Sequence, residues 1–435
     1  MLCEDLEGTA ALTPLGRTIA HGQLVAALSN RFRAHALWQR HPEIGEHPIP
    51  TPIIVIGQMR SGTTRMHRLL ACDPRLTFTR FYESWSPLPK TSDRFVFDDR
   101  KLRGWLGLLG ARLLNPEFDA IHPTRWDAVD EEIGLQSISI FGSAFEAQWR
   151  VPRYTAAVED GDAVAAYGEF RRLLQTIAWL RGEDGKRPWI LKVPQFSQDL
   201  PALLQAFPDA QLIFVSRDPA QVIASSASLV HNQMSIQSAK VDPNWIGREW
   251  TRKVALREKR TAAARARTSV PQVDVAFEDV DRDWRGEMVR VYGMLGLPLP
   301  HAVLARMRNY VDESRSGSHN RHAYRSADYG LAAATSAGPE RQGHSTRTRS
   351  RAFGASAFAR LTRALYLFAA LSTASLLSLP MAEQPPTSSA AGAQLAFQGD
   401  GSTCTVALTP DCVPNVACSA LPSPLTSSVL TRALS

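Results

Sequence analysis

The segment Ile53-Ile54-Val55-Ile56, closed by Gly57 and followed at once by Gln58-Met59-Arg60-Ser61-Gly62-Thr63-Thr64, constrains this 435-residue chain more than any other. Four consecutive β-branched residues predict a short buried strand. Thr63 to Ala71 carries helical spacing, so the intervening loop joins a strand directly to a helix. Such a junction favours anions, because the first helical turn leaves backbone N–H groups without partners and the helix dipole places positive charge there. A Walker A loop would read G-x-x-x-x-G-K-[ST]. Gly57 and Gly62 keep that spacing, but position 63 is Thr, which removes the lysine a nucleoside triphosphate needs. The N–H groups of Ser61 to Thr64, the Arg60 guanidinium and the hydroxyls of Thr63 and Thr64 still suit a phosphate. One well-formed arginine–phosphate contact contributes about 1.5–3 kcal/mol. The alternative is an ordinary strand-to-helix turn with a surface arginine.

Two further strands end on chemistry. Leu212 to Ser216 is apolar and runs into Arg217-Asp218-Pro219, then a helix carrying Ser225 and Ser226. Asp218 and Pro219 read as N-cap and first helical residue, which leaves Arg217 at the strand's carboxyl end with Ser225 two turns into the helix. Both can face one cluster of phosphate oxygens; a solvated arginine and an ordinary helical serine are the alternative. Trp189-Ile190-Leu191-Lys192-Val193-Pro194 places a lysine at a strand end in a chain with 42 Arg and only 7 Lys. A lysine there suits a developing oxyanion, with a snorkelling side chain as the alternative.

The rest of the chain supports an α/β class. Strands are expected at Trp189–Val193, Gln211–Ser216 and Val273–Phe277, and helices at Leu24–Arg40 and Phe170–Leu180. Alternating strands and helices imply a parallel sheet with ligands at the strands' carboxyl ends. The expected fold is therefore a P-loop-like three-layer α/β domain with a central parallel sheet at 51–335, preceded by a helical extension at 1–50. All ten Trp lie between Trp38 and Trp284, and from Leu331 onward the charged density falls to about half. The segment 336–435 is accordingly expected to be a weakly ordered or disordered, mobile tail, with one apolar stretch at Ala364 to Leu379 too short to span a bilayer.

Composition excludes several classes. With 44% hydrophobic and 21% charged residues the chain can bury a substantial core and is not wholly disordered. Five cysteines, an odd number without a C-x-x-C pair, argue against a disulfide framework, and the acidic N-terminus lacks a secretory pattern, so a cytoplasmic setting is expected. The net charge of +7 comes from dispersed arginines without aromatic interleaving, so no nucleic-acid partner is expected. Neither a metal-ligand cluster nor membrane association is expected, and the oligomeric state is left open.

Taken together these motifs resemble the sulfotransferase family, in its bacterial branch with an N-terminal helical extension. The resemblance runs over some 300 residues: Asn30-Arg31-Phe32-Arg33, His41-Pro42-Glu43-Ile44, the Arg60 to Thr64 loop, Tyr82-Glu83-Ser84-Trp85-Ser86-Pro87 and Asp130-Glu131-Glu132. It continues through Leu191-Lys192-Val193-Pro194, Arg217-Asp218-Pro219, Tyr324 and Asp328-Tyr329-Gly330-Leu331. It implies transfer of a sulfuryl group from 3′-phosphoadenosine 5′-phosphosulfate, without metal, to a small-molecule hydroxyl or amine acceptor. The 5′-phosphosulfate would lie on Arg60, Ser61, Gly62, Thr63 and Thr64, and the 3′-phosphate on Arg217 and Ser225, which have the family's spacing of eight. Glu83 is the implied base, Lys192 and Arg60 the implied charge stabilisers, and His122, Glu131 and Glu132 the reserve bases; His67 is expected to be a packed spacer. An ion pair with a loop arginine is the other role open to Glu83. Trp85, Trp105, Trp126 and Trp149 lie where the family builds its acceptor pocket, and either an apolar acceptor or core packing would explain them. Two departures from the family pattern are Met59 before the loop arginine and the low-charge segment after Leu331. Rival functions are a P-loop kinase, which lacks its lysine at 63, and a noncatalytic nucleotide-binding relative, which would not need Glu83 and Lys192.

Overall fold

The computed structural model describes residues 1–90, 98–316 and 325–331 and three strand segments, 394–399, 402–407 and 415–418. Two units are distinct, Met1–Leu371 and Ser372–Ser435. The expectations for Tyr324, the boundary near residue 335 and the stretch 364–379 lie outside the described residues.

In the first unit five strands form one parallel sheet: β1 (Ile53–Ile56), β2 (Thr77–Phe78), β3 (Trp189–Leu191), β4 (Gln211–Ser216) and β5 (Gln272–Ala276), in the order β2-β3-β1-β4-β5. Successive side chains of a strand point to opposite faces, and here both faces are covered. Ile54, Ile56, Leu191, Leu212 and Phe214 join one core with Trp38, Phe170, Leu173 and Ile177 from the helices Pro14–Arg40 and Val164–Arg181. Ile53, Val55, Ile190, Ile213 and Val215 join the other with Met66, Leu69, Met288 and Val291 from Thr63–Leu70 and Phe277–Leu295. The apolar runs read as buried strands are thus the middle layer of three. The helix Pro14–Arg40 shares this core through Ala34, Leu37 and Trp38, while Leu2 and Leu6 of the helix Leu2–Glu7 join a separate cluster with Phe145, Trp149 and Tyr154.

Local signals explain most boundaries. The helix expected from Leu24 begins at Pro14, where Thr13 accepts a hydrogen bond from the Gly16 N–H and Pro14 occupies the first turn. The helix Pro219–Gln237 starts as expected, with the Asp218 carboxylate accepting from the Ala220 N–H at 2.8 Å. β3 ends at Leu191 and β5 at Ala276, each shorter than its apolar run, because Lys192 turns into the site and Phe277 opens a helix. The last described stretch of this unit is anchored: Tyr329 is buried beside Val230, Ile246 and Trp250, and a Cβ at Gly247 would lie 2.1 Å from the Tyr329 carbonyl oxygen.

In the second unit β6 (Gln394–Gly399), β7 (Ser402–Ala407) and β8 (Asn415–Cys418) pair antiparallel in sequence order. Among the described residues no helix is long and apolar enough to cross a membrane.

Candidate active site

β1 is flanked by β3 on one side and β4 on the other, so its carboxyl end is the point where the strand order reverses. The loop that leaves it is held by close approach. A Cβ at Gly57 would sit 2.5 Å from the Val215 carbonyl oxygen, and one at Gly62, whose φ is +99°, would sit 2.4 Å from Cδ2 of Phe277. Only glycine fits either position without displacing β4 or that ring. Arg60 has φ +70°, a left-handed conformation that costs an ordinary residue about 1–2 kcal/mol and is kept where the surroundings over-determine it. Ser61 is buried with its hydroxyl on the Gln58 carbonyl at 2.8 Å.

The structure brings Arg60, Arg217 and Ser225 together. Arg60 Nε donates to Ser225 Oγ at 3.1 Å, and Arg217 Nη1 donates to the Arg60 carbonyl at 3.2 Å. Arg217 Nη2 donates to Gln221 Oε1 at 2.9 Å, its guanidinium carbon lies 4.5 Å from the centroid of the Phe277 ring, and its buried Nε has no partner. Ser226, next to Ser225, donates to the Met59 carbonyl at 3.0 Å and so fixes the loop from its other side. Phe277 and Gln221 had no signal of their own in the sequence; Phe277 is placed by being the first residue after β5.

A second cluster lies at the end of β3. Lys192 is buried, and its Nζ donates to Thr64 Oγ1 at 3.0 Å and to Glu131. The Lys192 backbone N–H donates to Glu132 Oε2 at 2.8 Å. Complete burial pushes the Glu132 carboxyl up to about 8, against the opposing effect of that hydrogen bond. His67 is packed as expected: burial, then the Lys192 charge, lowers its imidazole to about 3, and it stays neutral.

Beside them His122 Nε2 lies 3.1 Å from both oxygens of Asp130, whose Oδ2 also accepts from Thr124 Oγ1 at 3.1 Å. Burial alone would lower the His122 pKa, but the charge and hydrogen bond of Asp130 together with the Glu131 charge outweigh it, and the group is raised. Asp130 itself is held down to about 2, its burial outweighed by His122. The backbone on both sides of His122 is clamped by the loop and its helix. Arg60 Nη1 donates to the Ile121 carbonyl at 3.3 Å and Arg68 Nη2 to the Pro123 carbonyl at 2.6 Å.

Glu83, expected as the base, is placed elsewhere. Its carboxylate is fully buried and accepts two hydrogen bonds from Arg181, one through Nε at 2.8 Å. It also accepts from the Arg80 N–H at 2.9 Å and the Tyr82 hydroxyl at 3.1 Å. Burial would raise its pKa, but Arg181 and Arg80 outweigh that and hold it below the usual range. Arg181 in turn lies over Trp189 and donates to Thr77 Oγ1 at 3.0 Å. Those are the first residues of β3 and β2, the opposite ends of these strands from the loop. The ion-pair alternative describes this geometry, with Arg181 as partner instead of a loop arginine.

The four tryptophans divide. Trp149 is core, stacked on Phe145 with centroids 5.5 Å apart and its Nε1 donating to Gln237. Trp126 lies against Tyr82, and Trp85 and Trp105 are exposed. Among the described residues no group of three or more His, Cys, Asp or Glu could hold a metal ion.

The chain as a whole is similar to known proteins. The profile described as "Sulfotransferase family" matches residues 52–301. The omega-hydroxy-beta-dihydromenaquinone-9 sulfotransferases Stf3 of Mycobacterium bovis and Mycobacterium tuberculosis are each 26% identical over 275 residues, 60% of this chain and 66% of their own length. The chain thus aligns with just under two thirds of these curated relatives. Among solved structures, sulfotransferase STF9 from Mycobacterium avium superposes with a TM-score of 0.65 at 27% identity, over 76% of this chain and 85% of its own. Sulfotransferase STF1 from Mycobacterium tuberculosis H37Rv gives 0.62 at 27%, over 76% and 87%. With more than half of its length matched by that profile, the chain belongs to the sulfotransferase family.

Proposed function

We propose that this sulfotransferase takes its sulfuryl group from 3′-phosphoadenosine 5′-phosphosulfate and passes it to the hydroxyl of an apolar small molecule. The observation that carries the donor assignment is the convergence of Arg60, Arg217 and Ser225 beside a glycine-cradled helix N-terminus, with one buried guanidinium N–H of Arg217 unpartnered. The N–H groups of Gly62, Thr63 and Thr64 suit the 5′-phosphosulfate, the Ser61 N–H being spent on the Gln58 carbonyl at 3.1 Å, and Arg217 and Ser225 suit the 3′-phosphate. The Stf3 relatives are named as sulfotransferases of a hydroxylated menaquinone, which supports an apolar hydroxyl acceptor.

Lys192, bonded to Thr64 of the loop, is positioned to stabilise negative charge on the oxygen between phosphorus and sulfur as that bond breaks. His122 is the base: Asp130 binds one ring nitrogen and orients the imidazole, and the other can take the proton from the acceptor hydroxyl. Glu131 holds Lys192 until donor phosphate competes for it. Glu83 contributes to the fold instead. In-line transfer moves SO₃ from the donor's phosphate oxygen to the acceptor oxygen and leaves the bisphosphate.

Thermal shift separates this reading from its rivals. Adenosine 3′,5′-bisphosphate should stabilise the protein without metal, and adenosine 5′-monophosphate should do so much less. Arg217→Ala should lose about 1.5–3 kcal/mol of bisphosphate affinity. Equal shifts by the mono- and bisphosphate, or a larger shift by ATP with magnesium, overturn the donor assignment.

A further inference from the structure

The helix Asp99–Leu114 buries one side and leaves an apolar side bare. Arg100, Gly104 and Leu108 are buried, and a Cβ at Gly104 would lie 2.3 Å from the Tyr82 side chain, so this face is pressed against the helix Phe81–Trp85. On the other side Leu102, Trp105, Leu109 and Leu113 are 48%, 47%, 39% and 50% exposed. At 100° per residue those four fall within an arc of about 80°, opposite the packed face. A surface helix normally puts polar residues there, and a contiguous exposed apolar stripe marks a contact surface.

Its border is basic. Lys101 and Arg112 are exposed along one edge of the stripe. Near its first turn, Arg33 of the helix Pro14–Arg40 acts electrostatically on both Lys90 and Arg103. Burial and then the neighbouring Arg103 and Arg33 charges lower the Lys90 pKa, and Arg103 is lowered by burial, partly offset by Asp99. Arg103 is paired with Asp99 at 2.8 Å, and Arg112 on the other edge with Asp119 at 2.9 Å, so Lys101, Arg33 and Lys90 supply the excess positive charge. Next to Arg33 in sequence, Phe32 is 73% exposed, the most exposed large hydrophobic side chain among the described residues. Tryptophan and leucine on one face with lysine and arginine at the margin fit the boundary between lipid headgroups and acyl chains, where the cations meet anionic headgroups.

We propose that the helix Asp99–Leu114, with Arg33, Lys90 and Arg103 at its margin, docks this protein on the surface of an anionic lipid bilayer. The stripe rests on exposure and charge alone and does not depend on which acceptor the site takes. The helix does lead toward the site, since the chain runs from Leu114 through Phe118 to His122. Docking here would bring the mouth of the site to the surface in which an apolar hydroxyl compound dissolves.

Flotation of the full chain with unilamellar vesicles tests the proposal. Vesicles of phosphatidylcholine with about 30 mol% phosphatidylglycerol should carry the protein at least about 10-fold more than phosphatidylcholine alone, and raising salt from about 0.1 to 0.5 M should weaken binding. The pair Leu102→Gln and Leu109→Gln should lower partitioning at least about 10-fold while leaving the melting temperature and bisphosphate-induced shift unchanged. A conservative Leu109→Met should bind as the parent does. No flotation on anionic vesicles, full flotation of the glutamine variant, or equal binding to neutral vesicles overturns the proposal. So does light scattering that shows a dimer dissociated by the same two substitutions, which would make the stripe an interface between copies.

Discussion

Glu83 and Glu131 are glutamates held against cations beside neighbouring strands, and the difference between them separates framework from chemistry. Glu83 is closed on all sides: Arg181 grips both oxygens, the Arg80 N–H and the Tyr82 hydroxyl fill what remains, and water is excluded. Arg181 also ties down the Phe78 carbonyl at 2.8 Å and Glu183 at 3.0 Å, so the pair staples the start of the sheet's edge to the helix Val164–Arg181. Glu131 touches Lys192 from a partly open position, with 17% of its side chain exposed, and Lys192 shares its ammonium with the loop hydroxyl of Thr64. A buried pair with every lone pair used is costly to break and has nothing to offer a substrate. A pair with one open side can exchange its partner when an anion arrives.

Breaking each pair should therefore give opposite phenotypes. The largest effect is expected from Arg181→Ala, which leaves Glu83 buried and unpaired: a loss of about 3–5 kcal/mol in urea unfolding, with donor affinity per folded molecule unchanged. Lys192→Ala should instead lower turnover by roughly 10²–10³-fold, about 2.7–4 kcal/mol of transition-state stabilisation, with little change in bisphosphate binding. Should Lys192→Ala merely unfold the protein, or Glu83→Gln abolish turnover in a stable fold, the contrast between the pairs is lost. A smaller effect sharpens the role of His122. Asp130→Asn removes a charge and a hydrogen bond that raise the imidazole, so the acid limb of the kcat/KM profile should move to lower pH.

The smallest expected effect concerns Glu132, directly behind Lys192. Glu132 keeps its proton in the folded chain up to about 8, whereas an unfolded glutamate loses it near 4.5. Throughout that window the native state binds the extra proton, so this group's contribution to stability declines as pH rises and is lost above about 8. Glu132→Gln should flatten the decline by on the order of 1 kcal/mol between pH 6 and 7 in urea titrations. An unchanged slope would remove the assignment.

What could be read in advance depended on distance along the chain. The β1 strand-to-helix loop and the Asp218–Pro219 helix start are local patterns, and each holds in the fold. The hydrogen bond between Arg60 and Ser225, 165 residues apart, had no signal in the sequence, which assigned the two to opposite ends of the donor; it forms because both motifs lie at strand ends of one parallel sheet. Glu83 shows the limit. Its partner is 98 residues away on a helix whose apolar spacing announces burial but not which of its arginines turns inward. The His122–Asp130 pair is only eight residues apart, but it forms across irregular backbone with no periodicity to signal it. β2 has two residues, too few for any alternation, and its place at the sheet edge is set by tertiary packing.

Phe277 carries one more consequence. Its ring edge fills the space a Gly62 side chain would need, and its face lies beneath Arg217. One rigid plate thus backs the seats proposed for both ends of the donor. A substitution that moved or shrank this ring would therefore reach both places at once, loosening the loop turn at Gly62 and the guanidinium of Arg217 in a single step.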